Sequence, residues 1–218
     1  MIETDFSEND NCIIVANGQF PTSERPLKLL NSATAIIACD GAVKNLYDIH
    51  IAPMAIVGDL DSIPRKLRDL YSERIHHVDD QEINDLTKAV RFAHHLGYKR
   101  ITIIGATGLR EDHTLGNISL LMEYAPLFDK VEMISDFGSF TPILKSTTFQ
   151  SFPRQQVSIF ALYPEGEIST EGLRWPICHR TLTAWWQGSL NEAIGDSFTI
   201  HLAPQCRILV YQTLFPKE

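Results

Sequence analysis

The 218-residue chain is short of the features that usually announce a partner or a compartment. It has no run of basic residues, and its formal net charge is −8. That balance gives no cationic face for nucleic acid or an anionic membrane surface, so neither is expected as a partner. No apolar run approaches the roughly 20 residues of a membrane span. The opening residues, MIETDFSENDN, are acidic and polar where a secretory signal needs an apolar core. Residues 1–10 read as a loosely docked or disordered tail. The four cysteines (Cys12, Cys39, Cys178 and Cys206) are scattered and form no CxxC pair. Such usage fits a reduced, cytoplasmic chain with buried thiols. The GxxxxGK[ST] and GxGxxG nucleotide signatures are missing, as are HExxH, internal repeats and low-complexity segments.

What is present is an ordinary globular composition, 44% hydrophobic and 21% charged, with enough chain for one large or two small domains. CIIVANG at 12–18, TAIIAC at 34–39, MAIVG at 54–58, IHHV at 75–78, RITII at 100–104 and VEMIS at 131–135 read as buried strands. Between them, helices are expected after Pro26, over 42–48, after Pro64, and from Asp85 to a stop at Gly97. Leu115, Ile118, Leu121 and Met122 mark a further helix. This alternation predicts a mostly parallel, doubly wound α/β domain over residues 1–142. Beyond it VSIFALYP, SFTIHLA and RILVYQT lack helices between them, which predicts a smaller antiparallel β-sandwich over residues 143–218.

The stretch GATGLREDHTLGN at 105–117 reads as a strand-to-helix turn, where open α/β sheets bind ligands. Glycines Gly105 and Gly108 allow close backbone approach, and Arg110 and Asp112 set a cation and a carboxylate at one place. Acids follow the other strands too: Asp40, then Asp59 and Asp61, then Asp79, Asp80, Glu82 and Asp85. In a parallel sheet these turns share one edge, so the acids converge. In extended chain, Asp59 and Asp61 point the same way. Clustered carboxylates need a cation among them, and Mg²⁺ takes one or two together with waters and phosphate oxygens. Lys88 and Arg110 add charge for phosphate. Aspartate is also a favoured turn and N-cap residue, and Asp85 alone is equally well read as the cap of its helix. The adjacent pairs His76-His77 and His94-His95 diverge in direction and are structural. For His113 a phosphate contact and a packing role stay equally open. The Trp185-Trp186 pair is open between the β core and an interface.

The set CDGA at 39–42, GDLDS at 58–62, DQEINDLTKA at 80–89 and GLREDHTLGN at 108–117 resembles the thiamine pyrophosphokinase family, in order and in spacing. TEGLRWPI at 170–177 and GSLNE at 188–192 resemble its thiamine-site segments. The resemblance covers about residues 12–215. It implies an enzyme that transfers a pyrophosphoryl group from ATP to the hydroxyl of thiamine, giving thiamine diphosphate and AMP. It further implies Mg²⁺, a homodimer, and an active site between the domains that the partner subunit completes.

By resemblance, Asp40, Asp59, Asp61, Asp80 and Asp85 are metal-site acids. Asp59, Asp61, Asp112 and Arg110 are catalytic; the proton acceptor is Asp112 or one of Asp59 and Asp61. Gln81, Asp85, Lys88, Gly105, Arg110 and His113 contact ATP, while Asn117, Trp175, Ser189 and Asn191 contact thiamine. The chain departs from the pattern at Cys39, where alanine is usual, at Glu82 and Asn84, where Asp and Thr are frequent, and at Thr107-Gly108, where Gly-Gly is common. A rival is a phosphatase of the haloacid dehalogenase type, since DLDSI resembles its DxDx[TV] loop. Against it, Ile63 stands at the last position, and the loop follows the third strand rather than the first.

Overall fold

The computed structural model describes residues 11–163 and 165–215. The tail expected at 1–10 lies outside them. The chain divides into two compact units, one of residues 1–120 with 126–136, the other of 121–125 with 137–218.

In the first unit β1 (Asn11–Val15), β2 (Ile36–Cys39), β3 (Ala55–Gly58), β4 (Ile75–His77), β5 (Arg100–Ile104) and β6 (Lys130–Ile134) form an entirely parallel arrangement. Their order is β6-β5-β1-β2-β3-β4. The helices between them are α1 (Glu24–Ser32), α2 (Val43–Asp48), α3 (Arg65–Leu70), α4 (Asp85–His95) and α5 (Glu111–Tyr124). The chain runs outward from β1 to β4, then α4 returns it to β5 on the other side of β1. This reversal places the topological switch between β1 and β5, where such sheets bind ligands beyond the strand C-termini. The strands are uninterrupted apolar runs because both faces are covered. Ile13, Val15, Ile36, Ala38 and Ile56 pack with Leu30, Val43, Leu46 and Leu67 in one core, and the alternate residues Ile14, Ile37 and Val57 are equally buried.

Two boundaries differ from the expectation. Helix α5 starts at Glu111, within the 105–117 stretch, so only its first half is a turn. Helix α1 starts two residues before Pro26, which is tolerated because first-turn amides have no helical partner.

The second unit is antiparallel throughout. It contains β7 (Gly138–Ile143), β8 (Thr147–Gln150), β9 (Gln156–Tyr163), β10 (Ile168–Glu171), β11 (Asn191–Glu192), β12 (Ser197–Leu202) and β13 (Arg207–Thr213). One sheet runs β11-β9-β13-β7 and the other β10-β12-β8. Val157, Ile159, Ile208 and Val210 from the first meet Phe149, Ile168, Phe198 and Ile200 from the second in a shared core, which makes a sandwich. The second unit takes in Gly138–Ile143, ahead of the expected start at 143, because that strand pairs along its whole length with β13. No helix among the described residues is long and apolar enough to cross a membrane. Cys12, Cys39 and Cys206 are buried, but Cys178 is exposed, contrary to the expectation of buried thiols.

Candidate active site

All six parallel strands end at one edge, and the acids enter there strand by strand. After β2 the chain bends directly into a 3-10 turn, Asp40–Ala42. Asp40 adopts φ 30°, in the left-handed half that aspartate tolerates better than most side chains. Its side chain is carried inward, leaving the residue 2% exposed. Oδ2 accepts the Ser62 amide at 3.0 Å, while Oδ1 is buried with no hydrogen-bond partner. Burial pushes the Asp40 carboxyl above its ordinary range, and the nearby charges of Asp85 and Asp61 add to this against the Ser62 amide.

Strand β3 ends at Gly58, where a Cβ would fall 2.8 Å from the Asp40 Cβ and 3.3 Å from Asp85 Oδ1. Only glycine lets those two acids approach. The chain then turns through Leu60 at φ 71°, and the Asp61 amide donates to Asp59 Oδ1 at 3.3 Å. Asp59 and Asp61 are thus brought together by an Asx-type turn, not by the alternation of an extended strand. One carboxylate oxygen from each of Asp40, Asp59 and Asp61 lies within 4.8 Å of the others. The Ser62 hydroxyl donates to Asp61 at 2.8 Å and is the leading reason its carboxyl sits below the usual range.

After β4 the expected alternative for Asp85 is settled. Asn84 caps α4, its Oδ1 accepting the Thr87 amide at 2.9 Å. Asp85 is left to pair with Lys88, 3.0 Å from Nζ. Lys88 is buried, with Asp59 Oδ2 4.0 Å away. Burial alone would lower its pKa, but the Asp85 hydrogen bond and the charges of Asp85, Asp59 and Asp80 reverse this and raise it. Asp80 is exposed and accepts the Glu82 amide at 2.9 Å, and neither it nor Asp85 supplies an oxygen to the three-acid group.

After β5, Gly105 takes φ 71° because its backbone abuts β1: a Cβ there would meet the Ala16 carbonyl at 2.7 Å. The two switch-point loops are laced together, Gly18 N to Gly105 O at 2.7 Å and Gln19 N to Thr107 O at 2.9 Å. Arg110 pairs with Asp112, Nε to Oδ1 at 3.1 Å, and this bond holds the Asp112 carboxyl below its usual range. Asp112 supplies no oxygen to the group of Asp40, Asp59 and Asp61. Gln81 and His113 are exposed. Asn117 donates to the Ala106 carbonyl at 2.8 Å and accepts from Asn84 at 3.2 Å.

Sequence reasoning passed over several residues here. Ser62 was visible only as the end of GDLDS. Asn17 lies with its amide nitrogen 2.7 Å from where a Gly41 Cβ would be; its one signal was the glycine after β1. Asp136 accepts from Thr22 N, Thr22 Oγ1 and Ser23 N at 2.9–3.0 Å, fastening the loop that leads from β1 into α1.

The donor set suits a hard divalent cation. A carboxylate group from which one or two oxygens bind directly, with water or phosphate oxygens completing the shell, is an Mg²⁺-type environment, and the unpartnered Asp40 Oδ1 is a buried acceptor with no donor of the protein's own.

In the second unit Trp175 is 55% exposed, so its indole is not a core residue. The Arg174 guanidinium lies over its ring, 5.1 Å from the centroid. Asn191 is buried and its amide is engaged on Trp175's main chain, accepting N–H at 3.2 Å and donating to the carbonyl at 2.7 Å. Ser189 Oγ donates to the Trp186 carbonyl at 2.7 Å. Trp185 and Trp186 are 46% and 73% exposed, which decides against the β core for both.

Both parts of the chain match models of one family. Residues 27–134 match the catalytic domain of thiamin pyrophosphokinase, and residues 138–211 match its substrate-binding domain. The chain belongs to the thiamin pyrophosphokinase family. Among similar proteins, thiamine pyrophosphokinase of Bacillus subtilis (strain 168) is 28% identical over 83% of this chain and 88% of its own length. Thiamine pyrophosphokinase 1 of Oryza sativa subsp. japonica is 24% identical over 78% and 75% respectively. The crystal structure of a Bacillus subtilis thiamine pyrophosphokinase has the same fold, with a TM-score of 0.80, 24% identity and coverage of 94% of this chain and 100% of that one. Thiamin pyrophosphokinase from Candida albicans likewise superposes with a TM-score of 0.80 at 18% identity, over 96% and 92%. Thiamin pyrophosphokinases are enzymes whose reaction is pyrophosphoryl transfer from ATP to thiamine. The phosphatase reading of DLDSI falls with this result.

Proposed function

We propose that this chain transfers the pyrophosphoryl group of ATP to the hydroxyl of thiamine, giving thiamine diphosphate and AMP, at the carboxylate edge of its parallel sheet. The observation that carries the site assignment is the meeting of Asp40, Asp59 and Asp61 around a buried oxygen that has no donor. Asp40, Asp59 and Asp61 would hold Mg²⁺ there, and the ion would supply positive charge against the carboxylates and the substrate phosphates. Lys88, kept charged by Asp85 and Asp59, and Arg110 are placed for further phosphate oxygens. Gln81, Gly105 and His113 belong to the same ATP assignment.

In the reaction the thiamine hydroxyl oxygen bonds to the β-phosphorus. The bond from that phosphorus to the oxygen bridging to the α-phosphorus breaks, and AMP leaves with the electron pair. The hydroxyl proton passes to a carboxylate, Asp112 or one of Asp59 and Asp61. Little covalent help is needed from the protein, which positions groups and offsets charge.

Trp175 is assigned to the cationic thiazolium ring by its exposure. Asn191 holds the main chain of Trp175, and Ser189 lies in the adjoining segment. A homodimer is proposed from the exposed Trp185 and Trp186, and a cytoplasmic location from four unpaired cysteines. The test is to mix protein, ATP, Mg²⁺ and thiamine. AMP should form only when all are present; inorganic phosphate released without thiamine would contradict the reading.

A further inference from the structure

Two asparagine amides join the halves of the site. Asn84 Oδ1 accepts the Thr87 amide as the cap of α4, and its Nδ2 donates to Asn117 Oδ1 at 3.2 Å. Asn117 Nδ2 donates in turn to the Ala106 carbonyl at 2.8 Å. One end of this chain is the helix turn that carries Asp85 and Lys88. The other is the β5–α5 turn, where Gly105, Gly108 and Leu109 have φ of 71°, 77° and 60°. A turn with three left-handed residues in five has several ways to relax, and α5 holds it through Asn117 on the Ala106 carbonyl and, more weakly, through the Thr114 hydroxyl on the Gly108 carbonyl at 3.4 Å. Each amide uses its oxygen and its nitrogen within the protein.

We propose that Asn84 and Asn117 are positioning residues that act as one unit: their shared hydrogen bond fixes the Asp85–Lys88 turn in register with the turn that leads to Arg110. This rests on the phosphate-site reading above. It also replaces the thiamine contact expected for Asn117. Breaking the bond lets the two cationic groups, Lys88 and Arg110, drift relative to each other. Misplacement of that kind costs turnover rather than binding of the second substrate.

Asn84→Ser keeps an acceptor for the Thr87 amide and lacks the donor to Asn117; Asn117→Ala lacks both of its bonds. Each single variant should lower kcat about tenfold and leave the thiamine KM within about twofold. The double variant should be no worse than the poorer single one, since both remove the same bond. Asn84→Ser should melt close to the parent. Amide hydrogen exchange supplies a readout independent of activity: Asn84→Ser, a change at the cap of α4, should speed exchange of the Gly18 and Gln19 amides, which bond the Gly105 and Thr107 carbonyls of this turn. The proposal is overturned by an Asn84→Ser enzyme of normal kcat, by losses that multiply in the double variant, or by unchanged protection of the Gly18 and Gln19 amides. It is equally overturned by an Asn117→Ala enzyme whose defect is a raised thiamine KM alone. An inactive parent would count against the phosphate-site reading, while the exchange measurement would still decide on the amide link.

Discussion

Asp40 is almost wholly removed from water, with one carboxylate oxygen on the Ser62 amide and the other on nothing. A buried acceptor left without a donor costs about 1–3 kcal/mol, and two further carboxylates within 4.8 Å add repulsion. Such an arrangement is retained where it does chemistry. Asp59→Asn and Asp61→Asn should each reduce turnover by about 10²–10³-fold while melting within a few degrees of the parent, as read by AMP formation and a thermal melt. Near-parental activity in both would remove the metal assignment. Trp175 makes a separable prediction. Its exposed indole should contribute about 0.5–2 kcal/mol to a cationic ring, so Trp175→Ala should raise the thiamine KM roughly tenfold. The KM for ATP should hardly move, because ATP is assigned to Lys88 and Arg110. An unfolded variant, or unchanged thiamine saturation, would place the thiamine site elsewhere. At this scale Asp59 and Asp61 were legible because they directly follow an apolar strand. The left-handed Leu60 that joins them was not, since nothing in the pattern DLDS marks φ. Asn84 was likewise hidden beside Asp85, an equally good cap by residue type.

Among the elements, strand order and helix placement followed from apolar runs broken by glycine, proline and aspartate. The contact between the start of α1 and the end of β6 did not. Asp136 takes its hydrogen bonds from Thr22 and Ser23, more than a hundred positions away, and no periodicity connects them. Burial works against its ionised form, but the Ser23 and Thr22 amides and the Thr22 hydroxyl outweigh it and lower its pKa. A depressed folded-state pKa means stability that is present above the unfolded value, about 3.9, and is lost as pH falls through the folded one. Asp136→Asn should therefore cost about 1.5–3 kcal/mol at neutral pH, the range for hydrogen bonds to a charged group. The gap between variant and parent should close as denaturation is repeated below about pH 3.9. A gap that persists undiminished at pH 3 would show that packing, not charge, holds the loop.

At the level of the whole molecule, the sequence showed two domains because its hydrophobic pattern changes from helix-and-strand to strand-only. It placed the junction a strand too late, since Gly138–Ile143 carries no mark of the partner it pairs with, seventy residues on. Trp186 and Trp185 leave a large aromatic surface on the second unit. Light scattering at micromolar concentration should give twice the chain mass; a monomer with full activity would refute the dimer. The central claim concerns which bond of ATP is broken. Phosphorus NMR of a turnover mixture with ATP, Mg²⁺ and thiamine tests it most directly. The account predicts AMP and thiamine diphosphate rising in equal amounts, with both transferred phosphates in the product. ADP accumulating with thiamine monophosphate, or free phosphate appearing without thiamine, would contradict it.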